Sequence, residues 1–322
     1  MKKLIILIFV ALLLSGCYST KLRQLPVIDN PVVRNLVLPA PYDNRMAEYS
    51  GLCRLDDYIL LLPQYPERFK DEQTEGHFVI VPMESIDIEG SLECIPIEVI
   101  GLEALHQYEG YEGFEAVTKN GAELYFAIEV GGVVPYTLAI KGKYSIELKQ
   151  IVLDSNSITR LETPVSIDNA SYESVVYNDG KLYFFYEGNG ININPTPYVL
   201  VTDTDFKVIE QVTLSPIEYR ITDVTNLDAD VLYAINYHWT GDAEKYNPGL
   251  DLLTNTLNRE NGIERIIPLQ FNGKEFIPYM NGSIINLEYK GRNWEGITKY
   301  KDGFLLITDK YPGSEFVYIE AK

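Results

Sequence analysis

One phrase recurs five times in this 322-residue chain, and a recurrence of that kind restricts the fold more than composition does. The copies run from Tyr49-Ser-Gly-Leu to Gln64, Tyr111-Glu-Gly-Phe to Glu129, Tyr172-Glu-Ser-Val to Glu187, Ile221-Thr-Asp-Val to Asn236, and Trp294-Glu-Gly-Ile to Asp309. From the second residue of a copy to its last, the spacing is 14 in four copies and 17 in the second, which we read as a lengthened turn at "TKNGAE". Between those ends lie a short strand, a turn rich in Asp, Asn or Gly, and an apolar run such as "ILLLP" or "LYFFY". This is the pattern of a β-hairpin. Two more strand-like segments follow each of the first four copies, as "HFVIVP" (77–82) and "CIPIEVI" (94–100) do in the first. Four strands per unit of about 50–70 residues is the layout of propeller blades.

The expected fold is therefore all-β, a five-bladed β-propeller. Its last unit has only 29 residues from Trp294 onward, too few for an outer strand. The unpartnered segment "PVVRNLVLP" (31–39) is expected to supply it, closing the ring through an N-terminal strand in the last blade. A six-bladed ring is the alternative, because 73 residues separate the fourth and fifth copies and have room for a degenerate unit. An irregular β-sandwich would have to produce the fixed spacing by chance. One helix is expected, over 248–260, where Leu250, Leu253 and Leu257 recur at helical spacing.

The first residues read "MKKLIILIFVALLLSGC": a cationic start, an apolar run too short to span a membrane as a mature helix, and a small-residue cleavage site ending in Cys17. That is the form of a bacterial lipobox. Residues 1–16 are expected to be a lipoprotein signal peptide, 17–30 a lipidated tether, and 31–322 a single propeller domain, anchored at an inner or outer membrane of the cell envelope. The acyl chains on Cys17 suffice for stable anchoring. The formal charge of −19 opposes binding to a phosphate backbone and disfavours nucleic acid as a partner. Nothing in the pattern calls for a second copy, so a monomer is expected. Cys53 and Cys94 are placed on the inner and outer strands of one unit, about three strand spacings apart, too far for a disulfide. Two buried thiols are expected.

In a propeller both ends of the inner hairpin meet at the mouth of the central channel. The strand starts read Ser50, Glu112, Glu173, Thr222 and Glu295, and the second-strand ends read Gln64, Glu129, Glu187, Asn236 and Asp309. All carry side-chain oxygen, and six are carboxylates. Beside them stand Tyr49, Tyr111, Tyr172 and Trp294, an aromatic collar for a substrate, with Asn236 and His238 at its edge. So many carboxylates on one axis repel each other unless protonated, hydrogen-bonded or neutralised by a cation. A hard cation, Ca²⁺ above all, suits an all-oxygen ligand set. The plainer alternative is that the acids only cap backbone amides at the strand ends.

"YEGFEAVTKNGAELYFAIE" and "NWEGITKYKDGFLLITD" resemble the Glu-Gly-hydrophobic, strand, acid pattern of the esterase-like phytase family of exported β-propellers and, more distantly, the calcium-dependent gluconolactonase-like propellers. The matching residues are Glu112, Gly113 and Glu129 in one unit and Glu295, Gly296 and Asp309 in another; the third copy keeps Glu173 and Glu187 but has Ser174 for the glycine. The first and fourth copies lack the carboxylates. The resemblance implies a metal-assisted phosphoester or ester hydrolase, with Glu112 and Glu295 as acid/base groups and Glu129, Glu173, Glu187 and Asp309 as metal ligands. A carboxylate pair across the channel would also suit a glycoside hydrolase. The competing reading is a non-catalytic envelope module that binds a glycan, a small molecule or a protein. The sequence has no Gly-x-Ser-x-Gly elbow and no His-Glu-x-x-His, which removes those hydrolase chemistries.

Overall fold

The computed structural model describes residues 25–257 and 260–320. The expected lipobox, with Cys17, lies outside the described residues. Strands dominate, and they group into antiparallel units of four. The first unit is Tyr49–Leu55, Tyr58–Pro63, His77–Pro82 and Ile95–Ile100. The second is Tyr111–Asn120, Glu123–Val130, Tyr136–Ser145 and Gln150–Leu161. The third is Tyr172–Asn178, Lys181–Tyr186, Tyr198–Asp203 and Val208–Leu214.

The fourth unit has Arg220–Val224, Val231–His238 and Ile263–Phe271, then a split outer strand, Glu275–Pro278 and Ile284–Asn286. The fifth has Trp294–Tyr300, Gly303–Thr308 and Phe316–Glu320. Its outer strand is Val33–Leu36, paired antiparallel from Val33 opposite Ile319 to Leu36 opposite Phe316. The N-terminus thus fastens the last unit, as expected from the short C-terminal remainder. A further strand, Val27–Asp29, runs parallel to Ile284–Asn286, so the body begins ahead of residue 31.

The hydrophobic cores explain why the second strands read as unbroken apolar runs. Leu60 and Leu62 pack toward the second unit, against Phe114, Phe126 and Ile128. Their neighbours Ile59 and Leu61 pack the other way, against Leu305, Ile307 and Phe316 of the fifth. Each sheet is buried on both faces, so alternation disappears and both side-chain sets are apolar. Separate cores join the second unit to the third, the third to the fourth, and the fourth to the fifth. The innermost strands also touch in a closed order, from Tyr49–Leu55 round to Trp294–Tyr300 and back. The expectation of an all-β propeller holds.

Two local expectations are corrected. The described residues of 248–260 do not form a helix: Leu250–Asp251 and Thr256–Leu257 pair as a small antiparallel ladder. Asp251 decides this, because its carboxylate accepts from the Leu253 backbone N–H and the Thr254 hydroxyl, turning the chain, and receives Arg265 at 2.7 Å. Helical spacing of leucines cannot compete with that turn chemistry. Cys53 is buried, but Cys94, just outside the outer strand, is only half-buried; both thiols are free.

Candidate functional site

The mouth is built by a bulge repeated at the start of the inner strands. Tyr49 pairs with Pro63 while Gly51 pairs with Leu62, so Ser50 is extra and its side chain is turned onto the axis. The same slip ejects Glu173 between Tyr172 and Ser174, and Glu295 between Trp294 and Gly296. The second unit carries two slips. The first falls at Glu112; the second falls between Phe114 and Ala116, at Glu115. Glu115, not Glu112, therefore occupies the equivalent position. Counting back 14 residues from Glu129 lands on Glu115, so the constant spacing held the answer and the lengthened turn was a misreading.

Glu115, Glu173 and Glu295 converge: all three are buried, and one carboxylate oxygen of each lies within 4.8 Å of the others. Each is held by a neutral donor. Gln64 Nε2 donates to Glu115 Oε1 at 2.6 Å, Ser171 Oγ to Glu173 Oε1 at 3.2 Å, and Asn293 Nδ2 to Glu295 Oε1. The second-strand ends surround this trio. Glu129 is 3% exposed, and its Oε1 has no hydrogen-bond partner. Asp309 accepts from Asn293 Nδ2 at 3.3 Å through Oδ2, and its Oδ1 has no partner. Together with Ser50, Asn169, Arg220 and Lys310 these groups line a cavity of about 70 Å³.

Burial is the first cause of the electrostatics here. It pushes the Glu115, Glu173 and Glu295 carboxyls well above the usual range, and the neighbouring acids Glu129, Glu115 and Asp309 respectively add to it. Glu129 is pushed up to about 8 by burial and then by Glu187, and Asp309 to about 6 by burial against the opposing pull of Lys310.

The fourth unit contributes a cation. Arg220 precedes the collar position Ile221 and reaches across to Glu187 Oε1 at 2.6 Å and Asn293 Oδ1 at 2.9 Å. The other Glu187 oxygen accepts from the Tyr246 hydroxyl at 2.8 Å. Tyr246 is the buried residue of a loop that carries two short helical turns, Thr240–Asp242 and Ala243–Tyr246, and covers one side of the mouth. Arg220, Asn293 and Ser171 all immediately precede a collar residue. That repeat position escaped the sequence reading because its residue types differ in every copy.

The remaining expected site residues sit elsewhere. Glu112 is half-buried outside the cavity, its carboxyl raised by burial and then by Asp168, with Lys245 and Lys310 opposing. Tyr49, Tyr172 and Trp294 are buried in the cores between units and do not line the mouth cavity, although Trp294 borders a separate cleft beside Arg292 and Glu315. Their polar atoms bind the Tyr42 carbonyl, the Glu162 carbonyl and Glu264 Oε2. The bulge that turns the acid inward turns its predecessor outward, and this is why no substrate collar forms. Tyr111 packs edge-on against Tyr65 and His106. Thr222 donates to the Trp294 carbonyl, and Asn236 is fully buried, donating to the Glu218 and Arg220 carbonyls and accepting from Arg265. His238 is buried, stacked on Tyr219 at 5.3 Å.

No family model matches this sequence, and no curated protein matches it. Solved structures do resemble the fold. A glucose dehydrogenase is 11% identical with a TM-score of 0.51, covering 91% of this chain and 100% of its own. The soluble aldose sugar dehydrogenase from Escherichia coli is 10% identical with a TM-score of 0.50, covering 90% of this chain and 100% of its own. A glycosyl hydrolase from Bacteroides ovatus is 10% identical with a TM-score of 0.50, covering 86% and 84%. At such identities the likeness is one of architecture, and it shows that this chain is a β-propeller.

Proposed function

We propose that this chain is an exported, lipid-anchored propeller that holds one hard divalent cation, Ca²⁺ foremost, in the carboxylate cluster of its mouth, and that it acts as a hydrolase-like protein toward a small phosphoester or ester. The observation that carries the reading is the buried trio Glu115, Glu173 and Glu295 beside the partnerless Glu129 Oε1. Buried carboxylates this close are costly unless a proton or a cation compensates them. The donor set is all oxygen, which fits Ca²⁺ and not a thiolate- or imidazole-seeking metal.

Glu115, Glu173 and Glu295 would hold the ion, with Glu129 and Asp309 next to it. Glu187 is already engaged by Arg220 and Tyr246 and orients the rim. When bound, the ion would polarise a ligand oxygen. Glu112, half-exposed with a raised carboxyl, would serve as the acid toward a ligand above the mouth. The resemblance to esterase-like phytase propellers supports the reaction class, and the lipobox supports the envelope location.

A second reading, a non-catalytic envelope binding module, is favoured by the cavity itself. About 70 Å³ admits an ion with a few waters but not a whole organic substrate. Metal analysis of the purified protein with Glu295→Gln and Glu112→Gln, together with a phosphoester and ester panel, decides between them. The hydrolase reading expects Glu295→Gln to lose the ion, and Glu112→Gln to keep the ion but lose turnover. An ion with no turnover selects the binding module. An absent ion removes the metal reading.

A further inference from the structure

We infer that the propeller is oriented on its membrane with the acidic mouth facing away from the bilayer, so that its ligand arrives from the aqueous compartment and not from the anchoring leaflet. The inference rests on the lipid-anchor reading above; the direction comes from strand topology. The inner strands start at the mouth, so the second strands end there and the third strands leave it. Phe316–Glu320 is a third strand running away from the mouth, and Val33–Leu36 is antiparallel to it, entering from the far face. Val27–Asp29 is parallel to Ile284–Asn286, which pairs antiparallel with Ile263–Phe271, a strand that leaves the mouth at Ile263 opposite His238. The chain therefore climbs toward the mouth from its first described residues.

The start of that climb is fixed. Leu25 is buried in the core between the third and fourth units, and the Pro26 carbonyl accepts the Ile284 N–H at 2.8 Å. Through the pairings of Val27 with Ile284 and of Asn286 with Arg265, Leu25 lies six residues below the mouth-side end of the third strand, about 20 Å at ~3.3 Å per residue. Cys17 to Gln24 is eight residues, a leash of at most about 29 Å when fully extended. Turning the mouth toward the bilayer would use most of that leash in doubling back along the body. What remained would have to clear the loop that carries Tyr246, whose hydroxyl reaches Glu187 at the mouth. Far-face orientation has no such cost. On that face Asp56 pairs with Lys119 at 2.8 Å and Asp228 with Lys299 at 2.9 Å, and Lys274 is exposed, so the turns are of mixed charge and raise no strong barrier against an anionic headgroup layer.

The test uses the full-length acylated protein in vesicles of phosphatidylethanolamine and phosphatidylglycerol. A fluorophore is placed at Lys274→Cys, in an exposed far-face turn, or at Pro312→Cys, in an exposed mouth-face loop, each in a Cys94→Ser background. A headgroup-borne quencher is expected to quench the Lys274→Cys label several-fold more than the Pro312→Cys label. Equal quenching, or stronger quenching at Pro312→Cys, overturns the orientation. Intact-mass measurement separates the two readings: an unacylated chain overturns the anchor, and this inference with it, whereas an acylated chain with reversed quenching overturns the orientation alone.

Discussion

Asp223 Oδ2 accepts the backbone N–H of Ile297 at 2.8 Å, joining the fourth unit to the fifth at the propeller axis. Asp223 stands where the other inner strands have Gly51, Ala116, Ser174 and Gly296, and only there does a carboxylate project onto the axis beneath the mouth. Its Oδ1 accepts from the Ser174 hydroxyl at 2.9 Å and from the Val224 N–H at 2.8 Å, and the Leu52 N–H is a further donor. One side chain thus binds strands of the first, third, fourth and fifth units. Asp223→Ala is expected to destabilise the fold by about 1–3 kcal/mol for the buried donors it leaves unpaired, and Asp223→Asn by less. Denaturant unfolding of both variants checks this, and a loss under 1 kcal/mol in Asp223→Ala would show that the axis does not need the link.

Protons are expected to stabilise this protein when no cation is present. Burial raises Glu129 from 4.5 to about 8 and Asp309 from 3.8 to about 6, so the folded chain binds more protons than the unfolded chain between about pH 4 and 8. Stability then falls as pH rises through that window. Chelator-treated protein is expected to melt at a lower temperature at pH 8 than at pH 5. Saturating Ca²⁺ should narrow or reverse the difference, because it binds the deprotonated cluster. A chelated protein that gains stability toward pH 8 contradicts the burial of these acids.

Arg220 compensates Glu187 in place. Arg220→Met leaves a buried carboxylate without its cation and is expected to cost about 3–5 kcal/mol. Glu187→Gln, by contrast, should leave the Ca²⁺ stoichiometry of wild type intact, since both Glu187 oxygens are already taken by Arg220 and Tyr246. Unfolding measurements and equilibrium dialysis read the two effects separately. Loss of the ion in Glu187→Gln would place Glu187 among the ligands.

Asn293 positions two acids at once, donating to Glu295 and to Asp309, and is itself fixed by Arg220. Removal of such an orienting group typically weakens metal affinity about 10- to 100-fold. Asn293→Ala should show that weakening in a Ca²⁺ titration while keeping one ion per chain at saturation. An unchanged affinity would mean that Glu295 needs no positioning.

Much of the architecture was legible in the chain because it is periodic. Five hairpins with a common spacing, apolar on both faces, can bury themselves only against copies of each other, and a last unit lacking one strand must borrow it from the start. The acids at the mouth were legible for the same reason: Glu129, Glu173, Glu187, Glu295 and Asp309 sit at fixed places in the repeat. Tertiary structure decided what the period does not encode. A bulge adds one residue and swaps which neighbour faces the axis, so the aromatic collar became core; the choice of Glu115 over Glu112, by contrast, was already contained in the 14-residue spacing back from Glu129. Arg220 entered the ring because its long side chain crosses from one unit to the next, a contact that depends on the distance between strands and has no counterpart in local spacing.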